Sequence, residues 1–306
     1  MDVAERAGVS KSTVSNVIRG TAMVAEETRL RVERAIAETG YHPNAIARSL
    51  KARSSQAIGI VVPDLTNPFY AQLAVGVERA AGALGYAVLT ANTECLPSTE
   101  EDAARAWLER RVDGVIIGGM SLASTLPREL LDRDVPVVLA SLGEADDPRL
   151  GVIDHDDAGA MEAIVEHLYG LGHRRLAFVS DHLREHAGER RYLGFKKALK
   201  QRRLMPIAID DGATAVVAHN DMQAIATIDR LERRGLKVPD DVSVVGFDDV
   251  PLAAHCRVQL TTVRSDAIEM SRRAVDLVVQ AARGNRHVSH RELLEVSLVV
   301  RSTTAR

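Results

Sequence analysis

The chain has 306 residues, 46% of them hydrophobic and 26% charged, with a formal net charge of −3. That is enough apolar material for two or three buried cores, and it excludes global disorder. No apolar run approaches the roughly 18 residues of a spanning helix, and the opening MDVAERAGVS lacks the basic and apolar regions of a secretory leader, so no membrane contact and a cytoplasmic location are expected.

Cys95 and Cys256 lie far apart, with no Cys or His at metal-ligand spacing. Neither a disulfide framework nor a structural zinc is indicated, no metal or cofactor is expected, and both thiols read as small buried hydrophobes. Aromatic residues make up 3% of the chain, too few for a protein that stacks single-stranded bases.

Charge is uneven along the chain. Residues 1–56 carry nine Lys and Arg against six acids, a formal +3 that leaves −6 on the rest, and no acid occurs from Thr39 to Pro63. A small basic head on a large acidic body suggests anion binding by the head. Asp2 to Ala7 is helix-compatible and stops at Gly8. Ser10 then stands as an N-cap for Lys11 to Ile18, with Val14, Val17 and Ile18 on one face. Helix, short turn with glycine, helix is the helix-turn-helix pattern, which places Lys11, Ser12, Thr13, Ser15 and Asn16 as candidates for DNA contact. A third helix is expected over about Glu26 to Thr39, with Leu30, Val32 and Ile36 closing a small core. By spacing alone the same bundle would also serve protein docking.

Pro43 breaks the third helix, and Ala45 to Lys51 has room for barely two turns, too short to persist unaided in water. Ala47, Leu50 and Lys51 share one face of that segment. A small residue, a bulky wedge and a cation suit minor-groove insertion, and a plain linker is the alternative.

The motifs DVAERAGVSKSTVSNVIRG, EETRLRVERAIAETGYHPNAIARSLKAR, IGIVVPDLTNPFYAQLAVGVE, RRVDGVIIGG, LGHRRLAFVS, VPDDVSVVGFDD and LTTVR follow one another through nearly the whole chain. In that order they resemble the LacI/GalR family of bacterial transcriptional regulators. The resemblance implies a homodimer reading palindromic double-stranded operator DNA. It also implies a hinge helix around Asn44 to Lys51, with Asn44 joining the candidate DNA contacts, and a body of the periplasmic-binding-protein type holding a small-molecule effector. The expected domains are a helix-turn-helix head over 1–43, a hinge and linker over 44–56, and an effector-binding and dimerisation body over 57–306.

The body alternates strand and helix patterns, which requires parallel sheets with helices on both faces. A first pass runs from the strand Ala57 to Val62 to the strand Val135 to Ala140, and a second from Leu176 to Phe247. The expected class is therefore α/β, with two lobes following one another along the chain and facing each other across a cleft. Ligands in such sheets sit beyond the carboxyl ends of strands, where Asp64, Asn67, Phe69 and Tyr70 fall in the first lobe and Asn220, Asp221, Asp248 and Asp249 in the second. Asp221 and Asp249 read first as helix caps, and Phe69 also suits a core. Arg191, Asn220 and Asp248 match effector-binding positions of the resembling family. A fork donor, an amide and a carboxylate suit vicinal hydroxyls, so a sugar or a nucleoside-like ligand is expected. Trp107 reads as packing.

Catalysis is the competing class. Asp154, His155, Asp156 and Asp157 can be drawn as an acid-base or metal cluster, but such runs in a strand-to-helix turn are usually solvent-facing caps, and no nucleophile motif accompanies them. No catalytic residue is assigned. Three features depart from the family pattern. Asn16 stands where Arg is common, Ala25 where a Ser cap is usual, and Ile207 to Asp210 reaches the strand Ala215 to Ala218 in a few residues, although a parallel crossover needs about a dozen. The second lobe is therefore expected to lack one strand-helix unit, with a weakened effector response as the consequence.

Overall fold

The computed structural model describes residues 3–19, 24–40, 54–143, 147–181, 186–255, 257, 259–284 and 288–306. The chain separates into two compact units, Met1–Ser55 and Gln56–Arg306.

The head holds three helices, α1 (Val3–Ala7), α2 (Lys11–Arg19) and α3 (Glu26–Thr39). Gly8, at φ 64°, ends α1 in the left-handed region that glycine tolerates. The Ser10 hydroxyl then accepts from the Thr13 amide at 3.1 Å and caps α2. Val3, Ala4, Ala7, Val14, Val32 and Ala35 form the core, with Val17, Ile18 and Ile36 packed against it. Leu30, expected in that core, is instead 49% exposed, because two residues before Val32 places it about 200° around the helix. Arg6 pairs with Glu38 at 2.8 Å and ties α1 to the end of α3. Asn44, Ala47, Leu50 and Lys51 of the expected hinge helix lie outside the described residues, as does Cys256.

In the body, a six-stranded parallel sheet has the order β10-β5-β4-β3-β1-β2. Its strands are β1 (Ala57–Val62), β2 (Ala87–Asn92), β3 (Gly114–Ile117), β4 (Val137–Ala140), β5 (Gly151–His155) and β10 (His290–Leu294). Side chains alternate across it. Ile58, Ile60, Ile116, Val138 and Ile153 meet α4 (Pro68–Ala83) and α11 (Ala267–Arg283) on one face. Val61, Val115, Ile117, Val137 and Val152 meet α5 (Pro97–Arg110) and α6 (Leu126–Leu131) on the other. Trp107 of α5 is core packing, as expected, and lies so close to the sheet that a Cβ at Gly59 would stand 2.9 Å from its ring.

The second lobe has a three-stranded parallel sheet in the order β6-β7-β8, with β6 (Leu176–Val179), β7 (Ala215–Ala218) and β8 (Ser243–Val245). One face carries α7 (Asp157–Gly170) and α8 (His186–Gln201), and the other α9 (Asp221–Arg233). After β8 come the short α10 (Pro251–His255) and β9 (Thr262–Arg264), which pairs antiparallel with β11 (Ser297–Val299).

Two expectations meet different fates here. The lobes do not follow one another along the chain: α11 and β10, from the last forty residues, complete the first lobe. Its inner face needed a second helix and its edge a sixth strand. The shortened second lobe is present as read. Ile207 makes a single parallel bridge to Ala177, the residue that pairs with Val216 of β7 on its other side. The chain therefore changes edges of β6 between residues 207 and 215 with a 3-10 turn, Ile209–Asp211, in place of a helix. Arg175 secures that crossing, its Nε donating to the Gly212 carbonyl at 2.8 Å and its Nη2 to the Asp211 carbonyl.

Ala25 precedes α3 at φ −54° and ψ 138°, with no side-chain cap. Ala25→Ser should supply one worth about 0.5–2 kcal/mol, slowing hydrogen exchange of the α3 amides by about 2- to 30-fold. Unchanged exchange would show that the N-terminus of α3 is satisfied by other means.

Candidate functional site

The carboxyl ends of β1, β6 and β7 converge on a cavity of about 230 Å³ lined by Pro63, Asp64, Thr66, Asn67, Tyr70, Asp181, His219, Asn220, Met222, Gln223 and Ala226. It lies between the lobes, because the first five residues follow β1 and the rest follow β6 and β7. Of the expected effector residues it brings together Asn67, Tyr70 and Asn220.

Each is fixed by local structure. The Asn67 side chain caps α4, accepting from the Phe69 amide at 3.1 Å, and Asn220 caps α9, accepting from Gln223 at 2.8 Å. Thr66 donates from both its amide and its hydroxyl to Asp64, which shapes the loop after β1. Phe69 is core, 3% exposed, and stacks edge-on against Tyr70 at 5.2 Å.

Arg191 and Asp248 do not line the cavity; they lie buried next to it. Arg191 donates to the carbonyl of His219, a lining residue, at 2.7 Å and covers the Phe247 ring at 3.6 Å. Its Nη2 stands 3.5 Å from Asp248 and its Nε 3.4 Å from Asp157. The neighbouring Arg190, absent from the sequence expectations, grips Asp154 at 2.6 and 3.1 Å and also pairs with Asp157. Asp154 lies in β5 of the first lobe, one residue before its end, while Arg190 belongs to α8 of the second, so this ion pair spans the lobes.

Several carboxylate assignments change. Asp156 is a cap, accepting from Gly159 at 2.9 Å, but Asp154, His155 and Asp157 are buried rather than solvent-facing. Asp221 does not cap α9, because the chain enters that helix at Asn220. It accepts instead from Val250 at 2.8 Å and from the Thr262 hydroxyl. Asp249 holds Arg264 and Arg301 at 2.8 and 2.6 Å. Cys95 is half-buried, on a loop, and not core. Sequence reasoning also missed Thr66, Asp181, His219, Met222 and Gln223. Their signal was position alone, since each lies within a few residues of a strand's carboxyl end.

Among the proposed DNA contacts, Lys11 and Ser12 are exposed on α2, and Thr13, Ser15 and Asn16 are half-buried. Ser10, which anchors this turn, bonds the Ser12 and Thr13 hydroxyls at 2.7 and 2.9 Å.

Residues 1–44 match the model of bacterial regulatory proteins of the lacI family, and residues 55–214 that of periplasmic binding proteins and sugar binding domains of the LacI family. The chain belongs to the LacI family. A periplasmic binding protein-like domain matches residues 165–304. The LacI relatives include the transcriptional repressors PurR of Vibrio parahaemolyticus, 33% identical over 99% of this chain and 97% of that one, and of Photobacterium profundum, 31% identical over the same shares. The lac repressor dimer bound to operator and the anti-inducer ONPF superposes with a TM-score of 0.89 at 30% identity, covering 100% of this chain and 98% of the other. The regulator CelR in complex with cellobiose does so at 0.74 and 28% identity, with 98% of each chain covered. Among the described residues of this LacI chain, no helix is long and apolar enough to cross a membrane.

Burial pushes Asp248 up to about 8, against the pull of Arg191, and Asp221 up to about 7. Burial also pushes His155 down to about 4. The folded chain thus keeps carboxyl protons that the unfolded chain loses above about pH 4, so the stability they confer declines as pH rises toward 8. The contribution of His155 has the opposite sign and is complete above about pH 6.5. Between about pH 6.5 and 8 the unfolding free energy of the body should therefore fall with pH, and Asp248→Asn should flatten that fall in urea titrations at stepped pH. An identical slope in the variant would show that Asp248 titrates below that window.

Proposed function

We propose that this LacI-family chain is a transcriptional repressor that binds palindromic operator DNA as a homodimer and is controlled by a small effector held between its lobes. Its work is binding, and it carries out no chemistry. The observation that carries the reading is similarity over 99% of the chain to repressors of the same layout. A helix-turn-helix head and an interlobe cavity on one chain are the two parts that such regulation needs.

In the head, Lys11, Ser12, Thr13, Ser15 and Asn16 face the major groove, and Asn44, Ala47, Leu50 and Lys51 of the hinge enter the minor groove. In the body, Asn67, Tyr70 and Asn220 contact the effector directly. Arg191, Asp248 and Phe69 form the layer beneath, which the effector reaches as the lobes rearrange. Control requires that the effector bind one lobe arrangement better than the other, so differential contacts shift the dimer between DNA-competent and incompetent states.

Anisotropy titration of the full chain against palindromes selected from random oligonucleotides, with and without neutral sugars, tests the reading. Saturable, sequence-selective binding is expected, and equal affinity for all sequences would refute it. Lys11→Ala should lower the salt slope by about one phosphate contact while leaving sequence preference intact. Asn suits adenine and Arg suits guanine, so Asn16→Arg should move the preference at one base pair toward G by about 1–3 kcal/mol. An unchanged preference profile would remove Asn16 from the base-reading set.

A further inference from the structure

We propose that His155 is a ligand-contacting residue at the floor of the interlobe cleft, and that the effector it serves is neutral and hydroxyl-rich rather than anionic. The proposal rests on the effector-binding reading above. His155 is 2% exposed, yet neither ring nitrogen has a hydrogen-bond partner, and Asp248 Oδ1 is likewise buried without one. Native proteins keep few such atoms, because a buried polar group without a partner forfeits its hydration, and those kept commonly await a ligand, ion or water.

Position points these atoms at the cleft. His155 ends β5, the strand end from which the first lobe faces the second. Its ring meets Phe69 edge-on at 6.3 Å, and the next residue, Tyr70, lines the cavity. From the second lobe, Arg190 and Arg191 of α8 and Asp157 of α7 are close enough to act on its charge. The imidazole thus stands between the aromatic wall of one lobe and Asp157, Arg190 and Arg191 of the other.

Chemistry narrows the ligand. A neutral imidazole offers one donor and one acceptor, which a single hydroxyl matches by accepting and donating at once. A neighbouring hydroxyl can donate to Asp248 Oδ1. Anions are disfavoured, because the guanidinium groups of Arg190 and Arg191 are already held by Asp154 and Asp157. The cavity itself adds Asp64 and Asp181, and no Lys or Arg among the described residues lines it.

The test is calorimetric titration of the full chain with D-ribose, D-glucose, D-galactose, D-fructose and cellobiose, each alongside the phosphate ester of the same sugar. At least one neutral sugar should bind about tenfold or more tightly than its ester. His155→Ala should weaken that sugar by about tenfold, and His155→Gln, which keeps a donor and an acceptor, should recover part of the loss. Without ligand, His155→Leu should melt at the same temperature as the parent chain or higher, because it removes the unpartnered nitrogens. A phosphate ester binding as tightly as its sugar overturns the ligand class. Unchanged sugar affinity in His155→Ala overturns the contact, as does a lower melting temperature in His155→Leu with sugar affinity retained, which would mark a core residue. No binding of any sugar or ester to the parent chain would overturn the effector reading itself, and this inference with it.

Discussion

A guanidinium that is only 3% exposed governs the centre of the body. Arg191 lies flat on Phe247 and donates to the His219 carbonyl, with its charge answered by Asp157 and with Asp248 3.5 Å away. Arginine stays protonated wherever it is placed, so its burial obliges the surrounding elements to bring carboxylates to it. Its contacts come from the start of α7, the residue after β7 and the turn after β8, so one cation touches three chain segments. The backbone there is constrained as well: Asp248 takes φ 111°, a region that residues with side chains rarely adopt, and its amide donates to the Val263 carbonyl of β9 at 2.8 Å.

The rest of the site follows from how parallel sheets are covered. Strands buried on both faces need a helix after nearly every strand, so their connections crowd at one end, and polar side chains there cap the helices that follow. Asn67 and Asn220 illustrate the economy: each closes the first turn of a helix and also borders the cavity between the lobes. Position in the cleft and local helix capping are one arrangement seen from two sides.

How much of this was legible depends on the range of the interaction. The head could be read closely, because Gly8, Ser10 and the valine spacing of α2 act within a few residues. The strands from Ala57 to Ala140 were equally clear, since each is an apolar run bounded by turns. Leu30 failed because its periodicity was judged without a partner helix to define the inner face. Asp221 failed because a carboxylate before a helix resembles a cap whether or not a distant Thr262 claims it. His155 was hidden inside a run of acids whose burial no local pattern reveals, and Arg190 gains meaning only once α8 is set against β5. The sequential layout of the lobes was wrong for the same reason: β10 has little apolar alternation, and its place beside β5 is decided by a pairing across more than a hundred residues.

That last pairing bears on how the protein is made. The three helices of the head enclose a core using residues 3–36 alone, so the head has all it needs to fold while most of the chain is still unsynthesised. Neither lobe of the body enjoys that independence. The first waits for α11 to cover its inner face and for β10 to complete its sheet, and the second waits for β11 to pair with β9. During translation, a finished head therefore precedes an unfinished body whose apolar strands stay uncovered until α11, β10 and β11 emerge. Loss of the stretch from α11 to β11 would therefore strip both lobes at once, uncovering the inner face of the first and unpairing β9 in the second.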